Sequence, residues 1–321
     1  MREKQIAICD TEADYAKRFA EFANSHRESL FAVHGFTDCS KLAAYIKEHP
    51  VDILLLSEEC LEQFPEDEST GKVILLSEEE YLNRDTWPAV YKFQPCSEIL
   101  RQAVNLYAEQ APVSLGVSLR ADRMKRIGIY SPVGRTGKTS FALALGKEIA
   151  KKKRTLYLNM EEYSGFSALY PDGEEWTLSE LMYFLKQGKK AFACKLESVI
   201  QRMGSLDYIP PLRSPVEMRH ISVENWNALL NALERESRYE LVILDLSGAV
   251  NGLFEILDQC DYIYMPGEED EAARAKMTQY EDTLKLLSLE CIMERTEKLR
   301  LREKTDFEGL VRSEGRRWSE S

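Results

Sequence analysis

One stretch near the middle of the chain limits the fold more than any other. Residues 126–130 form a short apolar run typical of a buried strand, and residues 141–150 repeat apolar side chains at helical spacing. Between them lies the turn Ser131-Pro-Val-Gly-Arg-Thr-Gly-Lys-Thr-Ser140. A strand, a tight turn and a helix in this order direct backbone N–H groups into one anionic hole at the helix N-terminus. The stretch therefore predicts a phosphate-binding loop.

The side chains of this turn have separate predicted roles. Lys138 would reach the terminal phosphates, and the hydroxyl group of Thr139 would bind Mg²⁺. The full pattern has a glycine where this chain has Pro132, so an ordinary strand-to-helix turn with an exposed lysine is the alternative interpretation. The predicted nucleotide-binding residues are Gly134, Arg135, Thr136, Gly137, Lys138, Thr139 and Ser140.

Size and composition restrict the class of protein. A chain of 321 residues is long enough for two domains, and 44% hydrophobic with 30% charged residues is typical of a soluble globular protein. The net charge of −12 disfavours nucleic-acid binding through a basic surface. No apolar run approaches the ~18 residues of a membrane span, so we expect any membrane association to be at most peripheral. The seven cysteines lack metal-ligand or redox spacing, which indicates reduced thiols and a cytoplasmic protein.

The first part of the chain alternates apolar runs with amphipathic segments. The runs at 5–9 and 51–56 are typical of buried parallel strands, and residues 13–25 have helical spacing. This alternation predicts a small doubly wound α/β domain over residues 1–108. Residues 109–124 lack a clear period and carry Pro and Gly, so we interpret them as a linker.

The order of these segments resembles the receiver domain of response regulators. Asp10 and Glu12 follow the first strand as the acidic corner of that family does, and Ser77 matches its hydroxyl position. The resemblance places the phospho-acceptor aspartate at Ser57 and the lysine before a proline at Gln94, so both chemical groups are missing. It therefore implies a degenerate receiver used for docking or dimerisation. The alternative for the two acids, which we favour, is a pair of solvated carboxylates.

Residues 125–321 continue the alternation and predict a second doubly wound parallel-sheet domain. One apolar run ends in Asn159-Met-Glu161, and another is capped by Asp245. Loops at the carboxyl ends of parallel strands gather around one crevice. We therefore expect the Asp245 carboxylate to hold Mg²⁺, or a water bound to it, beside Thr139.

These segments together resemble the MinD/ParA group of P-loop ATPases. The resemblance rests on the loop at 134–139, the strand tips at 159–161 and 245–248, and the strand at 261–267. With a degenerate receiver in front, the chain is similar to the TadZ/CpaE branch, which is associated with positioning and assembly of tight-adherence (Flp) pili. The resemblance implies ATP and Mg²⁺ as cofactors and a homodimer as the working assembly.

The same resemblance assigns roles residue by residue. Lys138, Thr139 and Asp245 match the phosphate, Mg²⁺ and Walker-B-like positions. Glu161 stands where the family has an aspartate that aligns the attacking water, so Lys138 and Glu161 are the predicted catalytic residues. Val133 replaces the signature lysine that reaches across the family's nucleotide-sandwich dimer. Because losing such a cation slows phosphoryl transfer by orders of magnitude, the sequence predicts ATP binding with slow hydrolysis at most.

Arg135 takes the place of the second glycine of the family's loop. Two interpretations stay open, a positive charge directed at phosphate or a partner subunit and a solvent-facing side chain. Beyond residue 268 the chain is acidic and helix-prone, and its short polar end predicts a helix packed on the domain rather than a membrane anchor.

These interpretations lead to three hypotheses for the function. The first is an ATP-binding dimeric switch that recruits pilus or secretion machinery proteins, with no specific nucleic acid among its partners. The alternative is a nucleotide-independent scaffold with a vestigial P-loop site, which Pro132, Val133 and Ser57 favour. The third is a signalling regulator with a phosphorylated receiver, and Ser57 and Gln94 argue against it.

Overall fold

The computed structural model describes residues 4–25, 30–64, 71–79, 87–110, 123–166, 176–188, 191–268, 270–301 and 304–320. The chain separates into two compact units, one made of Met1–Gly116 with Lys189–Ser198 and the other of Val117–Gly188 with Val199–Ser321. Both units combine helices with a largely parallel sheet, which confirms the predicted α/β class. The predicted boundaries at residues 108 and 124 stay predictions, since most of the linker lies outside the described residues.

The first unit is built on a five-stranded parallel sheet with the order β2-β1-β3-β4-β5. Its strands are β1 (Lys4–Cys9), β2 (Phe31–Phe36), β3 (Ile53–Ser57), β4 (Lys72–Ser77) and β5 (Ala89–Tyr91). Its helices include α1 (Ala13–Ser25), α2 (Cys39–Glu48), α3 (Glu58–Gln63) and α4 (Cys96–Gln110). Every residue of β3 is buried, as expected for a strand covered on both faces. Asp38 fixes the start of α2 by accepting the Ser40 N–H group at 2.7 Å.

The second unit is built on a seven-stranded sheet with the order β12-β11-β6-β10-β7-β9-β8. Its strands are β6 (Lys125–Ile129), β7 (Thr155–Met160), β8 (Gln201–Met203), β9 (Leu206–Ile209), β10 (Leu241–Leu246), β11 (Tyr262–Pro266) and β12 (Thr296–Leu299). All neighbours pair in parallel except β8, which is antiparallel to β9. The crossovers from β6 to β7 and back to β10 place the ends of these three strands at the centre of the sheet.

The later helices follow the same alternation. They are α5 (Lys138–Ile149), α6 (Leu178–Lys186), α7 (Phe192–Val199), α8 (Pro215–His220), α9 (Val223–Glu236), α10 (Leu253–Asp258), α11 (Glu271–Leu286), α12 (Glu290–Glu294) and α13 (Lys304–Glu320). Most of α7 clusters with the first unit although it lies between α6 and β8 in the chain. Within the part of the chain that the structure describes, no helix is both long and apolar enough to cross a bilayer.

The last helix, α13, packs against α5. Phe307 makes an edge contact with Phe141 at 6.4 Å between ring centroids. The indole N–H of Trp318 donates to the Tyr264 hydroxyl at 2.8 Å in the buried core. A β-carbon at Gly315 would come within 2.4 Å of Cγ of Glu148, so the two helices need glycine where they approach. The prediction of a C-terminal helix packed on the domain is confirmed.

Candidate functional site

The loop after β6 has the backbone geometry that the sequence predicts. Ser131 Oγ accepts the Val133 N–H group at 3.1 Å and closes the first part of the turn. Gly137 is the N-cap of α5 with φ +81°, a left-handed conformation that favours glycine. Arg135 also has a positive φ of +61°, which costs a residue with a β-carbon roughly 1–2 kcal/mol. A glycine at this position would adopt the same conformation without that cost.

The exposed parts of the loop leave room for a ligand. Gly134 is exposed, and a β-carbon built on it would meet no atom within 4 Å. Arg135 and Ser140 are exposed as well, which agrees with a solvent-facing Arg135 side chain. Thr136 is buried, and its Oγ1 atom has no hydrogen-bond partner. A buried hydroxyl without a partner is rare in native proteins, and phosphate oxygens would satisfy it.

Lys138 joins the ends of three strands. It is the first residue of α5, and its Nζ atom donates to Oε1 of Glu161 at 2.5 Å and to the carbonyl oxygen of Leu246 at 2.9 Å. Glu161 follows β7, and Leu246 is the last residue of β10. The Nζ atom also lies 5.9 Å from the centre of the Tyr130 ring, just after β6. The structure thus brings the two predicted catalytic residues together at the carboxyl edge of the sheet.

Asp245 is fully buried at the centre of that edge. It pairs in register with Ile129 of β6 and with Asn159 of β7. Its Oδ2 atom accepts the Tyr157 hydroxyl at 2.9 Å, while its Oδ1 atom has no hydrogen-bond partner. The Tyr157 hydroxyl in turn accepts from the Asn159 amide at 2.9 Å. One carboxylate oxygen is therefore positioned by a buried chain of hydrogen bonds, and the other is left for a ligand.

The sequence-based prediction does not include the Tyr157 and Asn159 part of this network. The sequence interpretation names Asn159 only as part of a strand tip. Its amide group donates to the Tyr157 hydroxyl, and its side-chain oxygen accepts the Glu161 N–H group at 3.0 Å. Tyr157 is not predicted as a site residue, because an aromatic ring in an apolar strand is typical of the hydrophobic core. The available signal is the two-residue spacing, which places Tyr157 and Asn159 on the same face of β7.

The electrostatics of Asp245 also suit a cation. Burial raises the pKa of Asp245 to about 6, and the negative charge of Glu161 acts in the same direction. The Thr139 hydroxyl, the Lys138 charge and the Tyr157 hydroxyl lower the pKa and only partly offset these effects. A buried carboxylate with a free oxygen and a neighbouring threonine hydroxyl is a pair of hard oxygen ligands. These residues fit Mg²⁺, with the remaining ligands supplied by phosphate and water.

Replacing Asp245 with asparagine should stabilise the folded protein while weakening Mg²⁺ binding. Asparagine can still accept from Tyr157, and it removes a charge whose burial is unfavourable. Since each tenfold change in proton affinity corresponds to about 1.4 kcal/mol, we expect Asp245→Asn to raise the free energy of unfolding by about 2–3 kcal/mol at pH 8.

The pH dependence of this gain has a defined sign. The folded-state pKa of Asp245 is raised, so the cost of its charge is fully present above about pH 6. The gain should shrink as the pH falls below about 6 and vanish near pH 4, where the unfolded carboxyl also protonates. Urea unfolding of the wild type and of Asp245→Asn at pH 8 and pH 4 measures this gain in stability. An equal gain at both pH values would contradict this explanation.

A polar cleft adjoins the site on the side of Glu161. It has a volume of about 620 Å³ and is lined by Glu161, Glu162, Tyr163, Arg219, Ser247, Gly248 and Ala249. Arg219 is held by an ion pair of 2.6 Å with Glu162, and Ser247 Oγ donates to the Met160 carbonyl at 3.1 Å. The loops after β7 and β10 therefore line both the site and this cleft.

The carboxyl edge of the first sheet holds a second polar cluster, and here the sequence interpretation needs correction. Asp10 is fully buried and forms an ion pair of 2.9 Å with Lys92, a buried residue directly after β5. The expectation that Asp10 is a solvated acid is wrong, although Glu12 is exposed. The lysine that reaches this acid is Lys92, which the sequence interpretation does not name, and the match of Gln94 to the receiver's lysine position stays a prediction. Ser57 is the N-cap of α3, so a hydroxyl group rather than a carboxylate stands at this position.

Comparison with known proteins finds similarity only among solved structures. No family model and no curated protein matches the chain. A plasmid partition protein from Borrelia burgdorferi bound to AMPPNP shares 16% identity over 61% of this chain and 98% of its own, with a TM-score of 0.43. The ATP complex of McdA from Cyanothece shares 13% identity over 60% of this chain and 89% of its own, with a TM-score of 0.43.

A third similar structure is cobyrinic acid a,c-diamide synthase from Mycobacterium smegmatis with a bound ATP analogue and magnesium. It shares 17% identity over 55% of this chain and 72% of its own, with a TM-score of 0.40. At these identities and TM-scores, the interpretation of the site rests on the geometry of this chain alone.

Proposed function

We propose that this chain binds Mg·ATP at the loop after β6 and works as a dimeric switch that localises or organises pilus or secretion machinery. The observation that carries the proposal is the position of Lys138, which links the tips of β7 and β10 to the start of α5. A lysine at the first turn of a helix, beside loop N–H groups, is the arrangement that binds terminal phosphates.

The other site residues supply complementary roles in this proposal. Thr139 and Asp245 hold Mg²⁺, which neutralises phosphate charge when bound, and Thr136 donates its unpartnered hydroxyl to a phosphate oxygen. Phosphate would replace the Glu161 carboxylate on Lys138, since both are anionic acceptors for the same ammonium group. Glu161 would then be released, and it could orient a water molecule.

That exchange gives the switch a physical basis. Glu161 begins the loop after β7, and this loop lines the polar cleft together with Ser247 and Gly248. Nucleotide binding at Lys138 therefore changes the contacts of a segment that also forms a surface. Loops that respond to the terminal phosphate in this way are the common switch elements of P-loop proteins. We infer that the cleft is part of the surface that a partner protein binds.

Hydrolysis in this account is slow at most. Val133 is buried and apolar where the family resemblance places a mobile lysine. An absent cation removes stabilisation of the charge that develops in the transition state. Slow turnover suits a protein whose ATP-bound state must persist long enough to recruit a partner.

The TadZ/CpaE part of the proposal is supported by the first unit. Its sheet order β2-β1-β3-β4-β5 agrees with a receiver-like fold, and Ser57 leaves it without an acceptor carboxylate. Asp10 and Lys92 form a buried ion pair at the same edge of this sheet, beside a Ser57 hydroxyl group rather than an acceptor carboxylate. A unit of this kind is suited to docking rather than to phosphate signalling.

A nucleotide-independent scaffold is the second candidate, and two observations favour it. The ammonium group of Lys138 already has two protein acceptors, so ATP must displace a charge-assisted hydrogen bond to bind there. The left-handed Arg135 adds a strained residue to the loop. In a scaffold this network would hold the three strand tips together permanently.

Molar mass measured by light scattering separates the two candidates. We expect the purified chain to be monomeric with Mg·ADP and to shift to the dimer mass with Mg·ATP or a non-hydrolysable analogue. A molar mass that is the same without nucleotide, with ADP and with ATP would overturn the switch and favour the scaffold.

A further inference from the structure

Three cysteines that are distant in sequence meet in the first unit. Cys9 ends β1, Cys39 begins α2, and Cys60 lies in α3. The sulfur atoms of Cys9 and Cys60 are 3.4 Å apart, and those of Cys9 and Cys39 are 3.9 Å apart. All three sulfurs lie within 4.8 Å of one another. The sequence spacing of these cysteines gives no sign of this cluster, because the sheet order creates it.

The distances agree with three sulfurs around one metal ion. A first-row metal–thiolate bond is about 2.3 Å long, so sulfurs bound to one ion are about 3.8 Å apart in a tetrahedral site and about 4.0 Å apart in a trigonal plane. The Cys9–Cys60 and Cys9–Cys39 separations of 3.4 Å and 3.9 Å need to change by about 0.6 Å or less to reach these values. We propose that Cys9, Cys39 and Cys60 form a three-thiolate site for a soft, thiophilic metal ion, Cu(I) in the first place.

The choice of ion follows from the ligand set. Thiolates select Cu(I), Zn²⁺ or iron–sulfur clusters, whereas Mg²⁺ and Ca²⁺ take oxygen ligands. Within the described ranges, no fourth cysteine, histidine or carboxylate belongs to the group. Structural Zn²⁺ is almost always four-coordinate, but Cu(I) accepts three sulfur ligands. The cluster therefore favours Cu(I) over Zn²⁺.

The surroundings allow both binding and entry. Cys9 and Cys60 are buried in an apolar cluster with Leu42 and Leu56, where water does not compete for the ion. Cys39 is only partly buried and offers a path from solvent. As the first residue of the ten-residue helix α2, Cys39 also lies at the positive end of a helix dipole, which partly offsets the negative charge of the thiolates.

Binding needs no redox partner. Burial raises the pKa of the Cys9 and Cys39 thiols, so both are protonated near neutral pH. Cu(I) enters as Cu(I), three S–H bonds give up their protons to solvent, and three Cu–S bonds form. The bound ion would fix the end of β1 to the starts of α2 and α3. It would thereby stabilise the first unit at the same edge as the Asp10–Lys92 ion pair.

An anaerobic titration of the full chain tests the site. Cu(I) is supplied from a chromophoric competing chelator, and Zn²⁺ is titrated in parallel. We expect one tightly bound Cu(I) per chain. Cys39→Ser should weaken binding by more than the roughly 10- to 100-fold that loss of an outer-shell partner costs. The matched control is Cys96→Ser, a partly buried thiol of the same unit outside the cluster, which should bind as the wild type does.

A second measurement uses the wild-type chain and does not depend on how a variant folds. Bound Cu(I) should slow alkylation of Cys39 and leave the exposed Cys291 reactive, as read by mass spectrometry of peptides. The proposal is overturned if Cu(I) does not bind at one per chain, if Cys39→Ser binds it equally well, or if Cys39 alkylates at the same rate with the ion. Stronger binding of Zn²⁺ than of Cu(I) against matched chelators would overturn the choice of ion.

Discussion

Lys138→Ala is expected to remove most of the stabilisation of this protein by Mg·ATP. A ligand at 100 times its dissociation constant stabilises the folded state by about 2.7 kcal/mol, which raises the melting temperature of the wild type. Lys138 supplies the ammonium group at the start of α5, and truncating a charged partner of phosphate costs 2–5 kcal/mol or more, roughly 30-fold to several thousand-fold in affinity. The ATP-dependent rise in melting temperature should therefore fall to about a third or less in the variant.

The control for this experiment is Lys147→Ala, which removes an exposed lysine from the same helix. It should keep the full response to Mg·ATP. A melting curve of Lys138→Ala without ligand is also needed as a baseline, because removing Lys138 leaves the Glu161 carboxylate without its partner at 2.5 Å. An undiminished ATP response in Lys138→Ala would mean that nucleotide binds elsewhere or by another mode, and the proposed site would be wrong.

Trp318→Ala should cause a large loss of stability in the second unit. The indole is mostly buried, donates to the Tyr264 hydroxyl and packs edge-on against Tyr262 at 5.7 Å between ring centroids. Replacing a buried aromatic side chain by alanine removes its burial and leaves a cavity, at a cost of about 3–5 kcal/mol. Because α13 packs along α5, the loss should also loosen the support of the phosphate loop.

Urea unfolding followed by circular dichroism measures this cost, with the transition of the second unit fitted separately. Trp318→Phe should lose less, since it keeps much of the ring packing and gives up the hydrogen bond. Leu286→Ala is the matched surface control, because Leu286 is 84% exposed at the end of α11. A loss below about 1 kcal/mol in Trp318→Ala would show that α13 is held by other contacts.

The strand, turn and helix around Lys138 could be predicted from the sequence because they are local. Strand, turn and helix follow one another within 25 residues, and the left-handed Gly137 belongs to that same continuous segment. Asp245 is also predictable, since an acid at the end of a buried run has a defined place once the strands are parallel. Both inferences use periodicity and strand ends, which a sequence carries directly.

Contacts that depend on sheet order could not be predicted in this way. The ion pair of Lys92 with Asp10 joins the ends of strands that are 82 positions apart, and the exact end of the three-residue β5 decides that Lys92 rather than Gln94 reaches the acid. The cysteine cluster has the same origin, because β1, α2 and α3 meet only after the sheet forms. The spacing of residues along the chain does not predict which of them come close in the folded protein.

Equilibrium titration of the purified wild-type chain with ATP, in the presence and absence of Mg²⁺, tests the central claim most directly. We expect one ATP per chain at micromolar affinity, with binding that weakens when Mg²⁺ is withheld, since Thr139 and Asp245 hold the ion in this account. No binding up to millimolar Mg·ATP would contradict the proposal and leave the loop after β6 as a structural turn.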